Sequence, residues 1–218
     1  MKKYLSIVLF LSVIILLSSC GQAQTEEKKN SVYATVNGEK IMTDEIDYFR
    51  TRCRSQIIND YAEKYGVKDF SDFWDKDFDG TTPSDSLEKK ALEEAADAKV
   101  RLVMMRENGV YDDISFEALK AKAEKFNAEN ANTKGNVGIN SIDMNGFYTY
   151  YVSTGEMELK NVLAEGELKP TEQELEKQAK ESPELTQNGL ISKIVAEKYD
   201  AIILEKINSA KIEKASGN

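Results

Sequence analysis

The sequence of 218 residues contains no histidine, only three prolines, two cysteines and one tryptophan. Without histidine the chain lacks the commonest general base near neutral pH and the commonest zinc ligand. No G-x-S-x-G elbow, no Walker loop and no G-x-G-x-x-G after a strand occurs either. Carboxylates are plentiful, with 38 Asp and Glu against 29 Lys and Arg. Their spacing suits solvated helix faces, and no hydrolase or transferase constellation emerges. The net charge of −9 repels phosphate backbones and anionic headgroups, which excludes nucleic acid as an expected partner. Long apolar runs are scarce too. The exception stands at the N-terminus.

There, Lys2 and Lys3 precede the run Tyr4 to Leu17, which only Ser6 and Ser12 interrupt. A membrane span needs about 20 apolar residues, so the run is short for spanning and suits the h-region of a signal peptide. Leu17-Ser18-Ser19-Cys20 follows directly and resembles the bacterial lipobox. That resemblance implies cleavage after residue 19 and a diacylglycerol on the Cys20 thiol. The expected location is the outer face of a cell membrane, with contact made through acyl chains rather than protein surface. Residues 20–31 read as the lipidated cysteine and a polar Gln/Glu/Lys tether, too poor in apolar residues to fold alone. With Cys20 acylated, Cys53 is the remaining thiol, so no internal disulfide can form and packing must hold the fold. Cys53 falls on the apolar face of an expected helix, which makes it a structural thiol. Arg52 and Arg54 point elsewhere on that helix.

What remains suits one domain, or one domain with an extended arm. A 41% hydrophobic content supplies a core, and 31% charged residues give its helices a wet face. The expected fold is mainly α, spanning 32–214, with residues 215–218 as a disordered tail. Val32 to Val36 is a short β-prone segment ending in the turn signal Asn37-Gly38. Glu39 to Met42 either continues the turn or returns as a brief strand. Thr43 reads as an N-cap, and Ile46, Phe49, Cys53, Ile57, Tyr61 and Tyr65 mark an amphipathic helix ending at Gly66. A short aromatic helix carries Phe70, Phe73, Trp74 and Phe78. Ser84 then caps a long helix with Leu87, Ala91, Ala95, Ala98, Leu102 and Met105 on one side. A weaker helix opens at Ser115, and residues 132–140 form a Gly/Asn loop. Helices over 147–163, after the Thr171–Glu174 capping box, and over 190–209 complete the body, with a final short strand over 210–213.

Two groups of residues are candidates for binding. Asp75, Asp77 and Asp79 with Gly80 match the opening of a calcium loop, but its twelfth position, which should supply a bidentate Glu, is Ser86. The solvated acidic turn is therefore preferred, and no metal or cofactor is expected. The aromatic sets Phe70/Phe73/Trp74/Phe78 and Phe147/Tyr148/Tyr150/Tyr151 have helical spacing, which makes core packing the default. Phe73, Trp74, Tyr148 and Tyr150 are the candidates for contact with another polypeptide. Tyr148 and Tyr150, off the main inward stripe, are expected to be exposed.

The segment Ala34-Thr35-Val36-Asn37-Gly38-Glu39-Lys40-Ile41, followed by Thr43-Asp44-Glu45, resembles the start of the SurA/PrsA-like extracytoplasmic chaperones. Phe73-Trp74 with Gly80–Pro83, Lys89–Glu94, Tyr148–Lys160, Glu167–Leu175 and Glu197–Ile203 are similar to lipoproteins of that group. The resemblance implies a helical chaperone domain whose terminal strand pairs with the strand near Tyr33–Val36. It also implies ATP-independent holding of unfolded exported polypeptides in an apolar cradle. In full-length relatives a parvulin prolyl-isomerase domain follows the segment matching residues 171–181. Here the chain runs through Pro183 straight into the last helix, with no parvulin-like segment and no His. If the chain is an enzyme, the resemblance implies a peptidyl-prolyl isomerase. A binding or adhesion lipoprotein without chaperone activity is the further alternative.

Overall fold

The computed structural model describes residues 30–131 and 141–215. The expected signal peptide, Cys20, the expected tether before Asn30, the expected loop over 132–140 and the last three residues lie outside the described residues. Within them the protein is mainly α, with one small antiparallel sheet: β1 (Val32–Val36), β2 (Glu39–Met42), α1 (Thr43–Tyr65), α2 (Pro83–Glu107), α3 (Phe116–Ala131), α4 (Met144–Ala164), α5 (Glu172–Glu181), α6 (Gln187–Asn208) and β3 (Ile212–Lys214). No described helix is long and apolar enough to cross a membrane.

The sheet has the order β2-β1-β3. Asn37 and Gly38 adopt φ of 52° and 86°, the paired left-handed conformations of a type I′ hairpin turn, so Glu39–Met42 returns as a strand against β1. The closing strand lies antiparallel on the other side of β1, with Val36 opposite Ile212 and Ala34 opposite Lys214. Asn37 ties the two ends together. Its N–H donates to the Lys211 carbonyl at 2.9 Å, and its side-chain oxygen accepts from the Lys211 N–H at 2.8 Å. Strict alternation fails on β1, where Tyr33 and Ala34 are both buried, because the register shifts between Val32 and Ala34.

Helix α1 begins at Thr43 rather than after it, and its N-cap, Met42, offers no side-chain acceptor. Acceptors come instead from the chain 12 to 14 residues earlier. The Ser31 carbonyl accepts from the Thr43 N–H at 2.8 Å and Asn30 Oδ1 from the Asp44 N–H at 3.2 Å. Asn30 and Ser31 are therefore fixed against α1. Helix α2 is opened by Thr82, not Ser84: Thr82 and Asp85 form a reciprocal capping box, with Pro83 at the first helical position. Thr171 and Glu174 form a second capping box at α5, while Asp143 and Thr186 cap α4 and α6 one way, each side chain accepting from the N–H of a glycine, Gly146 and Gly189.

The central element is α2, packed by α1, α4, α6 and the sheet. Its expected stripe of Leu87, Ala91, Ala95, Ala98, Leu102 and Met105 is buried, and so are Ala96, Val100 and Met104, because neighbours cover a wider arc than one partner would. Small alanines let the flanking helices approach closely. Gly155 serves the same end on α4: a Cβ there would lie 2.6 Å from Met105 Sδ and 2.6 Å from a Tyr111 ring carbon. On α6 the core is Leu190, Ile194, Val195, Tyr199 and Ile203, with Ile191 and Ile202 only partly buried.

Candidate functional site

Aromatic side chains gather in two places, and the four candidate contact residues divide between them. Phe73 and Trp74 lie on a single 3₁₀ turn, Phe73–Asp75, in place of the expected aromatic helix. Phe73 is 2% exposed and packs edge-on against Tyr61, Phe70 and Trp74. Trp74 is half-buried against a satellite core of Cys53, Ile57 and Leu87, with the Arg54 guanidinium 4.1 Å from its ring centre. This cluster closes the far end of α1 and α2. Its rings are spent on packing, apart from Phe70, which is 43% exposed.

The Asp75–Gly80 string forms the edge of the same region. Asp79 and Gly80 have φ of 56° and 85°, and Phe78 and Thr81 exchange backbone hydrogen bonds across them, a second type I′ turn. Asp77 Oδ1 accepts from the Gly80 N–H at 3.0 Å. The Asp77 carboxylate thus shapes a turn, and no cluster of three or more metal-ligating side chains gathers among the described residues.

The second gathering lies where α4 crosses α1. Tyr148 stacks on Tyr48 with ring centres 4.8 Å apart and meets Phe49 edge-on at 5.4 Å. Contrary to expectation, Tyr148 is buried, at 2% exposure, whereas Tyr150 is 52% exposed. The reason is that α4 is covered on two sides. Phe147 and Tyr151 face α3 and its preceding loop, through Phe126 and Tyr111, while Tyr148 faces α1. The Tyr148 hydroxyl is buried without a hydrogen-bond partner, and burial pushes its pKa well up.

Above this stack an open groove runs between α1, α2 and α4. One hollow, of ≈ 660 Å³, is lined by Tyr48, Thr51, Arg52, Asn145, Gly146, Thr149 and Tyr150. A second, of ≈ 390 Å³, continues past Phe49, Lys90, Glu94, Asp97, Ala98, Arg101, Tyr148, Val152 and Ser153, and shares Arg52 and Thr149 with the first. Arg52 spans the junction. Its Nη1 lies 3.5 Å from Tyr48 Oη and 3.4 Å from Thr149 Oγ1, and its Nε lies 3.6 Å from Glu94 Oε2. Sequence reasoning set Arg52 aside as merely flanking Cys53. Its place in the groove depends on which face of α4 meets α1, which no local pattern states.

Beneath the groove, Glu45 and Lys99 form an ion pair with side chains 1% and 2% exposed. Lys99 donates to Glu45 Oε2 at 3.1 Å and lies 2.9 Å from Oε1, where the angle is too poor for a second hydrogen bond. Burial raises the Glu45 pKa, opposed by the Lys99 charge. A smaller hollow of ≈ 330 Å³, near β2 and the start of α3, reaches Lys99 from the opposite side among Glu39, Arg106, Asp113 and Glu117. Cys53 is buried, and desolvation pushes its thiol up to about 11, so it is no nucleophile at neutral pH.

No protein-family model matches the chain, and no curated protein matches it.

Proposed function

We propose that the chain is a membrane-tethered chaperone-like lipoprotein that holds segments of unfolded exported polypeptides, without ATP, in the groove between α1, α2 and α4. The observation that carries this reading is the groove itself, an open trough between α1, α2 and α4 whose exposed ring is Tyr150, with Tyr48 and Tyr148 buried at its base. Holding an extended segment asks for adaptable apolar and aromatic surface and no covalent chemistry. A chain without histidine meets that demand. The SurA/PrsA-like opening over residues 34–45, and the pairing of β1 with β3, support the same reading. Cys20, acylated, would hold the domain on the outer face of the membrane.

The test is light scattering from an aggregating model client, with the full chain in phosphatidylcholine nanodiscs and empty nanodiscs as control. The expected result is suppression at near-equimolar protein, weakened by Tyr150→Ala. Scattering identical to that of empty nanodiscs would reject the reading. A prolyl-peptide turnover assay on the same sample is expected to stay at background.

A further inference from the structure

The sheet ends in an open edge. Among the described residues no strand lies beyond β3, and Ile212, Glu213 and Lys214 are all exposed. The Lys211 carbonyl accepts from the Asn37 N–H, and the Tyr33 carbonyl accepts from the Ala215 N–H at 3.0 Å. The odd-numbered residues of this ladder thus spend their backbone groups on β1. The alternation of an antiparallel pair then turns the N–H and C=O of Ile212 and Lys214 outward. Side chains alternate too. Ile212 stands opposite the buried Val36, at the rim of the core, and is 41% exposed. Lys211 and Glu213 share the other face and pair at 2.7 Å with both side chains mostly in water. Edge strands are commonly guarded by charge, lysine above all. This one alternates its signs.

We infer that β3 pairs antiparallel with β3 of a second copy on a shared membrane, Ile212 opposite Ile212, joining two three-stranded sheets into one. The sequence Lys211-Ile212-Glu213 is self-complementary in that register. Each Ile212 exchanges both backbone hydrogen bonds with its copy, and Lys211 of either chain faces the partner's Glu213. Sliding by two residues in either direction sets Glu213 against Glu213 or Lys211 against Lys211, at the cost of like-charge repulsion. Repulsion between two chains of net charge −9 is screened beyond about 8 Å at physiological salt. A strand of three residues buries far less than the ~1,200 Å² of a stable interface. The pairing therefore needs copies concentrated by their lipid anchors, and so rests on the anchoring part of the proposed function. It does not depend on the holding of polypeptides.

The experiment places Ile212→Cys in the full chain, reconstitutes it in phosphatidylcholine vesicles and oxidises it with copper phenanthroline. In the inferred register the two Cα atoms at position 212 lie about 5.5 Å apart, within disulfide reach. Cross-linked dimer is expected at several-fold the yield of the parent chain and of Lys214→Cys, whose copies sit about 13 Å apart along the strand. Adding Lys211→Glu should lower the yield about fivefold, and Lys211→Glu with Glu213→Lys should restore it. Thermal melts check that the variants fold, and flotation checks that the chain is on the vesicles. Equal yields at 212 and 214, or a yield that Lys211→Glu leaves unchanged, overturn the pairing and leave the anchoring standing. A chain that does not float with the vesicles overturns both.

Discussion

Replacing Glu45 by Leu would leave the Lys99 ammonium charged, buried and alone. Both side chains are almost fully removed from water and lie 2.9 and 3.1 Å apart, with a backbone hydrogen bond from Met42 also reaching Glu45. Removing one member of such a pair typically costs about 3–5 kcal/mol, because the survivor keeps its desolvation penalty without its counter-charge. In a domain of this size each kcal/mol lowers Tm by about 2–4 °C. Glu45→Leu or Lys99→Met alone should therefore lower Tm by roughly 6–20 °C. The double variant should behave otherwise. Two apolar side chains of similar volume need no counter-charge, so Glu45→Leu/Lys99→Met should match the parent or exceed it by about 1–4 kcal/mol. Urea denaturation of the four proteins, fitted with a common m-value, gives the coupling directly. Single variants costing less than about 1 kcal/mol, or a double variant as unstable as either single, would refute the reasoning. The pH dependence has a definite sign. The Glu45 pKa is raised, so the native state keeps a proton that the unfolded chain has released, and stability falls as pH rises from the ordinary value of 4.5 through the raised one. Glu45→Leu should lose that slope.

Further outcomes follow from other residues. Tyr148→Phe deletes an unpartnered buried hydroxyl while keeping the stack on Tyr48, and should raise stability by about 1 kcal/mol in the same denaturation assay. Gly155→Ala improves helix propensity by about 1 kcal/mol yet forces a Cβ into Met105 and Tyr111, so a net loss of about 1–2 kcal/mol is expected. Thiol titration should find Cys53 unreactive at pH 8 and fully reactive in denaturant; a second, fast-reacting thiol would show that Cys20 is free. The Glu174 pKa is lowered to about 2 by its hydrogen bonds to Lys198 and Thr171. The α5 cap should therefore outlast ordinary carboxylate titration as pH falls, and fail only as pH falls through about 2, which a carboxyl NMR titration checks.

The helices were legible because each carries its own period and its own boundary signal. Leu87 to Met105 and Ile46 to Ile57 repeat at helical spacing, and Thr171 with Glu174 declares a capping box locally. What misled was tertiary. Thr43 has the chemistry of an N-cap, yet Ser31 and Asn30 supply the acceptors from a distance, leaving Thr43 inside the helix. The Asp75–Gly80 string did not mislead: the acidic turn that its sequence favours is a type I′ turn at Asp79-Gly80. Tyr148 escaped because periodicity reveals the face of a helix turned to one neighbour, while α4 has neighbours on two sides. Tyr199, a residue with 0% exposure, was passed over for the isoleucines around it, although its hydroxyl donates to Glu156 at 3.0 Å within the Arg101 network. Arg52 and its groove exist only once three helices have met.

The seam between Asn37 and Lys211 joins residues 174 positions apart. No shorter stretch of polypeptide supplies β1 with its second neighbour, so the sheet waits until Ile212–Lys214 has been made. Until Ile212 arrives, one side of Val36 presents bare amides and carbonyls, a ready template for any other extended strand nearby. A chain emerging in order from its N-terminus would remain vulnerable at that edge until the pairing forms, and its folding would be slow for the reason that distant contacts always are.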